Sequence, residues 1–266
     1  MKIDFQETTK DLAVRIDIHS KFGAKNIDTW MLDLINLQPN DVILDVGCGS
    51  GKQCFSYYDR LNGKATITGG DISDDLLDQA RAEDKRRNSG MTFIHLDFNK
   101  PFPLERDTFD FVSCCFAIYY AENVPFTIDE MYRVTKMGGR LFTTGPMPQN
   151  KQLFYDIIRE ATGKEIPLMP GSSRFSTEFL STIKSLYSKV DLHLFENPLT
   201  FESIEPYMDY TRASMSEDRK LWGSFFNSKD DFEKVMQQIT EVAKRRLDKD
   251  GKLVMTKVVG GILATK

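Results

Sequence analysis

The sequence predicts a doubly wound α/β fold with a mostly parallel sheet, and two observations carry that expectation. Strand-like runs recur at residues 42–46, 65–71, 91–97, 109–115 and 140–144, the first of them apolar except for Asp45, as in strands buried on both faces. Helical patterns occupy the gaps between them, so strand and helix alternate along more than a hundred residues.

Up to about residue 40 the pattern is helical, with Leu12 and Ile16, then Trp30, Leu34 and Leu37, at three- and four-residue spacings. Pro39-Asn40-Asp41 ends it, and Val42-Ile43-Leu44-Asp45-Val46 follows as the first strand. Turns at Asn62-Gly63 and Asn88-Ser89-Gly90 introduce the second and third strands, Glu105-Arg106-Asp107 the fourth, and Gly138-Gly139 the fifth. One intervening helix is expected over 74–87, with Ser73 as its N-cap, and another over 127–135, with Ile128, Met131 and Val134 on one face. Beyond residue 146 the rhythm changes. Helical segments are expected over roughly 150–188, a strand over 190–195, further helix over about 203–247, and two closing strand runs at 253–259 and 261–264. The expected organisation is one domain over 1–266: a helical lid (1–40), a ligand-binding core (41–146), helical insertions around a sixth strand (147–252) and a final strand (253–266). The insertions are expected to cap the ligand crevice.

Composition narrows the partners. The formal net charge of −4 offers no general attraction for a phosphate backbone, so nucleic acid is not expected to bind. The two basic runs, Lys85-Arg86-Arg87 and Lys244-Arg245-Arg246, each end a helical pattern, where cations complement the helix dipole. The first residues lack a basic stretch followed by an apolar core, and no run of roughly 18 apolar residues occurs, so a cytoplasmic protein without a membrane partner is expected. Cys48, Cys54, Cys114 and Cys115 fall in strands or tight turns without C-x-x-C pairing, which predicts buried reduced thiols and no metal site.

The chemistry concentrates in Asp45-Val46-Gly47-Cys48-Gly49-Ser50-Gly51, where the first strand turns into a helix. Ligands of open α/β sheets bind outside the carboxyl ends of the strands, where this loop sits. Its G-x-G-x-G spacing differs from the G-x-G-x-x-G that seats a dinucleotide pyrophosphate. Asp45 directly before it would repel a diphosphate and suits a ligand carrying an ammonium and a sulfonium. Two further acids end the next two strands. Asp71 can accept from both hydroxyls of a ribose, and Asp97 can meet an adenine amino group. Each acid taken singly reads as a cap or turn residue; their recurrence at three successive strand ends is the signal.

Residues 42–51, together with Asp71, Asp97, Pro101-Phe102-Pro103, Phe109-Asp110-Phe111-Val112 and Arg133-Val134-Thr135-Lys136-Met137-Gly138-Gly139-Arg140-Leu141, resemble the motifs of class I S-adenosylmethionine-dependent methyltransferases. The subgroup they resemble is the ubiquinone/menaquinone-type and natural-product small-molecule enzymes. Met137 stands where that family usually has proline. The resemblance runs from about residue 30 to 146 and implies a Rossmann-like, seven-stranded sheet whose last strand is antiparallel and inserted between the fifth and sixth. It implies that Gly47, Cys48, Gly49 and Gly51 approach the methionine and ribose portions of S-adenosylmethionine, or of the product S-adenosylhomocysteine, with Asp45 near the amino group. Asp71 would hold the ribose, Ile72 would pack on the adenine, Asp97 and Phe98 would flank the base, and Cys115 and Phe116 would line the methionine arm.

Transfer from a sulfonium is an in-line displacement whose main demand is alignment, with a base needed where the acceptor loses a proton. His19, in the N-terminal segment, is the expected base; His95 reads as a packed strand residue and His193 as part of a late strand. Tyr120 is the second expected catalytic group. Tyr119 is expected to touch the acceptor, as are Tyr207 and Tyr210 of the cap. The acceptor expected is a small molecule, bound by a monomer or homodimer. The alternatives are a tRNA or protein methyltransferase, which would call for a basic face, a non-catalytic nucleoside-binding scaffold, and an NAD-dependent dehydrogenase, which the loop spacing disfavours.

Overall fold

A computed structural model describes residues 9–166, 170–215, 222–223, 225–226 and 228–266. Its strands are β1 (Val42–Val46), β2 (Thr66–Asp71), β3 (Thr92–His95), β4 (Phe109–Cys115), β5 (Thr135–Pro146), β6 (Lys189–Phe201) and β7 (Leu253–Thr265). They form one sheet in the order β3-β2-β1-β4-β5-β7-β6. The pairs from β3 through to β5 are parallel, and β7 runs antiparallel to β5, from Arg140 opposite Thr265 to Pro146 opposite Val259. The expected Rossmann-like architecture with an inserted antiparallel seventh strand is therefore present. Strand order reverses between β1 and β4, so the carboxyl ends of those strands open a crevice at the switch point.

The helices are α1 (Thr9–Phe22), α2 (Ile27–Ile35), α3 (Lys52–Arg60), α4 (Asp74–Arg87), α5 (Val124–Val134), α6 (Gln152–Thr162), α7 (Pro170–Arg174), α8 (Leu180–Leu186), α9 (Ile204–Ser214) and α10 (Lys229–Asp250). A 3₁₀ turn, Ile118–Tyr120, follows β4, and a π-helical turn, Phe175–Phe179, joins α7 to α8. Helix α4 starts as expected, with Ser73 Oγ accepting from the Leu76 N–H. Helix α5 starts three residues earlier than expected, because Asn123 caps it through the Phe126 N–H and Pro125 sits in its first turn. The expected pair of closing runs is one 13-residue strand, β7. Gly260 and Gly261, which read as a break, are instead places of close packing. A Cβ on Gly260 would lie 2.6 Å from Met147 Sδ, and one on Gly261 2.8 Å from the Trp30 ring.

The chain divides into two compact units. The first comprises Ile27–Pro148, Pro170–Phe195 and Val259–Lys266. Its core gathers Met31, Ile35, Ile43, Phe55, Phe111 and Phe142. Phe111 meets the Tyr57 ring edge-on at 5.8 Å, and the Arg140 guanidinium lies 5.4 Å from its centroid. Arg140 also donates to the Ile35 and Asn36 carbonyls, each at 2.7 Å, and pairs with Asp41. One side chain thereby ties β5 to the end of α2.

The second unit comprises the described residues of Met1–Asn26, Gln149–Met169 and Glu196–Val258. The segment 1–40 expected as one lid is thus shared out, α1 to this unit and α2 to the other. The apolar core here includes Phe154, Ile158, Leu199, Phe201, Tyr207 and Trp222. Helix α1 turns Val14, Ile18 and Phe22 inward, Phe22 lying 5.2 Å from the Phe201 ring, whereas Leu12 and Ile16, expected on its inner face, are exposed. The helix ends on Asn197, a buried side chain that accepts from the Ala24 and Lys25 N–H groups and donates to the Lys25 carbonyl. Replacing Asn197 with alanine strands two backbone donors in a buried place, and a loss of about 2–4 kcal/mol in urea-unfolding stability is expected. A loss under about 0.5 kcal/mol would show that this stitch is not needed.

Candidate active site

The loop after β1 is held from β2. The Gly47 and Cys48 N–H groups both donate to the Gly70 carbonyl, at 2.7 and 3.0 Å, and the Gly49 N–H donates to Asp71 Oδ2 at 2.8 Å. Gly47, Gly49 and Gly51 all have positive φ, a backbone region that glycine enters without strain. Their surroundings differ. A Cβ on Gly47 would lie 2.6 Å from the Ala117 Cβ, and one on Gly51 would press on Phe55 and Ala80 at 2.8 and 3.3 Å. A Cβ on Gly49 would meet nothing nearer than Leu76 Cδ1 at 4.0 Å. Gly47 and Gly51 thus allow the loop and α3 to pack closely, and Gly49 faces the open crevice.

The three acids occupy three different environments. Asp71 is 9% exposed at the end of β2, and its Oδ1 accepts from the Ser73 N–H at 2.9 Å. Its own carbonyl accepts from the Leu96 N–H, so it joins the glycine loop, the start of α4 and the turn after β3. Each carboxylate oxygen, with one N–H donor, keeps a lone pair for a ligand. Asp97 lies two residues past the end of β3, which stops at His95. The Asn99 N–H on its Oδ1, and then Lys100 at 3.2 Å, hold its carboxyl below the usual range. Asp45 is 1% exposed, beneath the loop. Its oxygens accept from Ser113 Oγ at 2.6 Å and from Cys54 Sγ at 3.7 Å. Burial, with a smaller push from Asp71, raises its carboxyl to about 7 despite those two donors.

Around the crevice stand apolar side chains exposed to solvent. Ile72, directly after Asp71, is 59% exposed, and Leu76 and Phe116 are also open. Phe98 comes within 3.8 Å of where a Gly47 Cβ would be. Phe116 leaves β4 with φ of 58°, uncommon for a bulky residue, and its N–H donates to Thr144 Oγ1 at 3.1 Å. Cys115 beside it is buried, as are all four cysteines, and all are free thiols. Tyr119 and Tyr120 follow in the 3₁₀ turn with ring centroids 4.7 Å apart, and Tyr120 is 67% exposed.

Three of the other expected residues, Tyr207, Tyr210 and His19, belong to the second unit. Tyr207 and Tyr210, expected to face the acceptor, are fully buried in the apolar core of the second unit. Their helical spacing on α9 reports packing, and burial pushes the Tyr207 phenol up. His19 also belongs to that unit, its ring stacked 5.7 Å from Tyr210. His95, read as packed, is exposed on β3 with Nδ1 3.0 Å from Asp74 Oδ1, because the edge of the sheet leaves that face uncovered. Among the described residues no three His, Cys, Asp or Glu side chains group as a metal ion would need. Leu76 and Ser113 were not singled out by sequence. Ser113, with Asp110 one of two polar residues in the run Phe109–Cys115, is the available signal for a partner to Asp45.

A G-x-G-x-G loop, an acid with acceptor capacity after β2 and an exposed apolar rim meet at the switch point. An adenosyl group with a charged amino-acid arm fits these residues: Gly49 leaves room for close approach, Asp71 has acceptor capacity, and Ile72 and Phe98 offer flat apolar contact. Comparison with known proteins agrees. Residues 44–143 match the family described as "Methyltransferase domain". Nocamycin O-methyltransferase of Saccharothrix syringae is 28% identical over 118 residues, 44% of this chain and 42% of that protein. A ubiquinone/menaquinone biosynthesis C-methyltransferase of Rhizobium johnstonii is 31% identical over 141 residues, 52% of this chain and 54% of that one. The matches therefore span about half the length of the curated relatives. The crystal structure of the YcgJ protein from Bacillus subtilis superposes over 90% of this chain and 97% of that one, with a TM-score of 0.58 at 13% identity, which shows the shared fold. Residues 44–143 thus match a methyltransferase domain, within a fold shared with the YcgJ protein.

Asp45 allows a direct check. A carboxyl raised from 3.8 to about 7 on folding contributes stability that is complete below pH 4 and lost as pH climbs to 7. Asp45→Asn removes that loss. Thermal melts without ligand should show the variant more stable than the parent at pH 8, by up to about 4 kcal/mol, with the difference shrinking towards pH 4. Parallel profiles for the two proteins would contradict this reading of Asp45.

Proposed function

We propose that the protein transfers a methyl group from S-adenosylmethionine to an oxygen, nitrogen or carbon atom of a small-molecule acceptor. The observation that carries this reading is the meeting of Gly49, the Asp71 carboxylate and the apolar rim of Ile72, Leu76 and Phe116 at the carboxyl ends of β1, β2 and β4. Bound there, the cofactor supplies a methyl carbon on a sulfonium, an electrophile that needs alignment more than activation.

The chain's own residues divide the work. Asp71 accepts from the ribose hydroxyls with the lone pairs left by the Gly49 and Ser73 N–H groups. Ile72, Leu76 and Phe98 enclose the adenine, and Asp97 accepts from its amino group. Asp45 places negative charge under the loop, opposite the amino-acid arm. Cys115 and Phe116 border that arm where β4 ends, and Tyr119 and Tyr120 wall the acceptor on the adjoining turn. Two features favour a small acceptor over a macromolecule: the net charge of −4, and the relatives named for nocamycin and for ubiquinone/menaquinone biosynthesis. No helix among the described residues is long and apolar enough to cross a membrane, and a cytoplasmic location is part of the proposal.

Ligand-dependent melting tests this. S-adenosylhomocysteine at a hundredfold over its Kd should stabilise the protein by about 2.7 kcal/mol, and NAD at the same concentration should leave the Tm unchanged. Asp71→Ala should weaken S-adenosylhomocysteine binding roughly ten- to hundredfold, as loss of charged hydrogen bonds does. Equal binding by parent and variant, or stabilisation by NAD instead, would overturn the proposal.

A further inference from the structure

The segment that leaves β4, residues 116–122, is fastened at both ends. At its entry the Phe116 N–H donates to Thr144 Oγ1 of β5 at 3.1 Å, and Ala117 stands against Gly47 of the glycine loop. At its exit the Glu122 N–H donates to Asn99 Oδ1 at 2.8 Å, across 23 positions of chain. In between, the Tyr120 and Ala121 N–H groups close the 3₁₀ turn on the Ala117 and Ile118 carbonyls, each at 3.0 Å, and Ile118 and Ala121 are buried. The turn's own bonds therefore set its shape, and Thr144 and Asn99 set where its ends stand. It carries the ring pair of Tyr119 and Tyr120, the second of them exposed.

Asn99 belongs to the loop on the other side of that turn. Its N–H donates to Asp97 Oδ1 at 3.0 Å, and the Lys100 N–H donates to the Asp97 carbonyl at 3.0 Å, so residues 97–100 fold tightly around the acid. The Phe98 carbonyl accepts from Thr127 Oγ1 of α5 at 3.0 Å. The Asn99 side chain thus reaches from the loop that bears Asp97 and Phe98 to the turn that bears the two tyrosines. Asp97 does not call for that amide, because its bond is to the Asn99 backbone. Helix α5 does not call for it either, because Asn123 caps the helix through the Phe126 N–H.

What the amide oxygen adds is a link between two loops. A ligand that restrains residues 97–99 restrains the Asn99 side chain with them, and a donor bonded to a restrained acceptor opens less often.

We propose that Asn99 is a positioning residue that passes occupancy of the Asp97 loop to the turn of Tyr119 and Tyr120, so that cofactor binding settles the wall against which the acceptor docks. The inference rests on the proposed function, since it takes the adenine to lie on Asp97 and Phe98. Its consequence is cooperativity: cofactor and acceptor each bind better with the other in place.

Hydrogen exchange on the full chain, with and without S-adenosylhomocysteine at a hundredfold over its Kd, tests this in the parent, Asn99→Ala and Asn99→Asp. In the parent the ligand should slow exchange at residues 97–99 and also at 118–122, there by roughly two- to tenfold, the range that one neutral hydrogen bond contributes. Asn99→Ala should keep the slowing at 97–99, and an affinity for S-adenosylhomocysteine within about threefold of the parent's, while the slowing at 118–122 disappears. Asn99→Asp, which retains an oxygen for the Glu122 N–H, should restore it. Thermal melts establish that the variants are folded, and the parent's own profile already decides whether the turn responds. Slowing at 118–122 that is absent from the parent, as a merely structural bond would give, overturns the inference. So does equal slowing there in the parent and Asn99→Ala, or a failure of Asn99→Asp to restore it. Absence of slowing at 97–99 in the parent would instead overturn the adenine placement in the proposed function, and the inference with it.

Discussion

The site depends on the Asp71 carboxylate and the two backbone N–H groups it receives, from Gly49 and Ser73. A short loop with three positive-φ residues has little conformational preference of its own. It is defined here by β2, whose Gly70 carbonyl takes two of its donors and whose terminal acid takes a third. The same acid fixes the residue that caps α4. Loop, helix start and the Asp71 carboxylate are consequently tied together before any ligand arrives, which limits the ordering cost of binding.

Asp45 shows the opposite economy. A carboxyl group sealed beneath the loop, with a hydroxyl and a thiol as donors and another acid nearby, is an expensive group to ionise. An apolar or amide residue there would make a more stable empty protein. Keeping an acid makes sense when the state that matters contains positive charge, so stability without ligand is given up for discrimination between ligands. The strained turn at Phe116 follows the same logic, since a bulky residue at positive φ persists only where its surroundings impose it.

Much of this was legible in the sequence, for physical reasons. Strands buried on both faces must be apolar, so β1 and β4 stood out, and acids at strand ends stood out against them. The α4 cap was readable because Ser73 precedes a helix with acids in its first turn. What failed to read were features decided by neighbours distant in the chain. Leu12 and Ile16 have the same helical spacing as Val14, Ile18 and Phe22, and only the partners in α9 and β6 choose between those rows. Gly260-Gly261 looks like a turn until Met147 and Trp30 are seen against it. Tyr207 and Tyr210 carry hydroxyls suited to a substrate, yet their rings fill a core and their polar ends are enclosed. Periodicity reveals that a side chain is inward and is silent on whether the interior it meets is protein or ligand.

The central claim is that Asp71, already bonded to Gly49 and Ser73, also receives the ribose of an adenosyl ligand. The most direct measurement is a crystal structure of the protein with S-adenosylhomocysteine. The account predicts both ribose hydroxyls within hydrogen-bonding distance of the Asp71 oxygens, with the Gly49 and Ser73 contacts unchanged and the adenine against Ile72. A ribose bound elsewhere, or a loop that abandons Asp71 to admit the ligand, would contradict it.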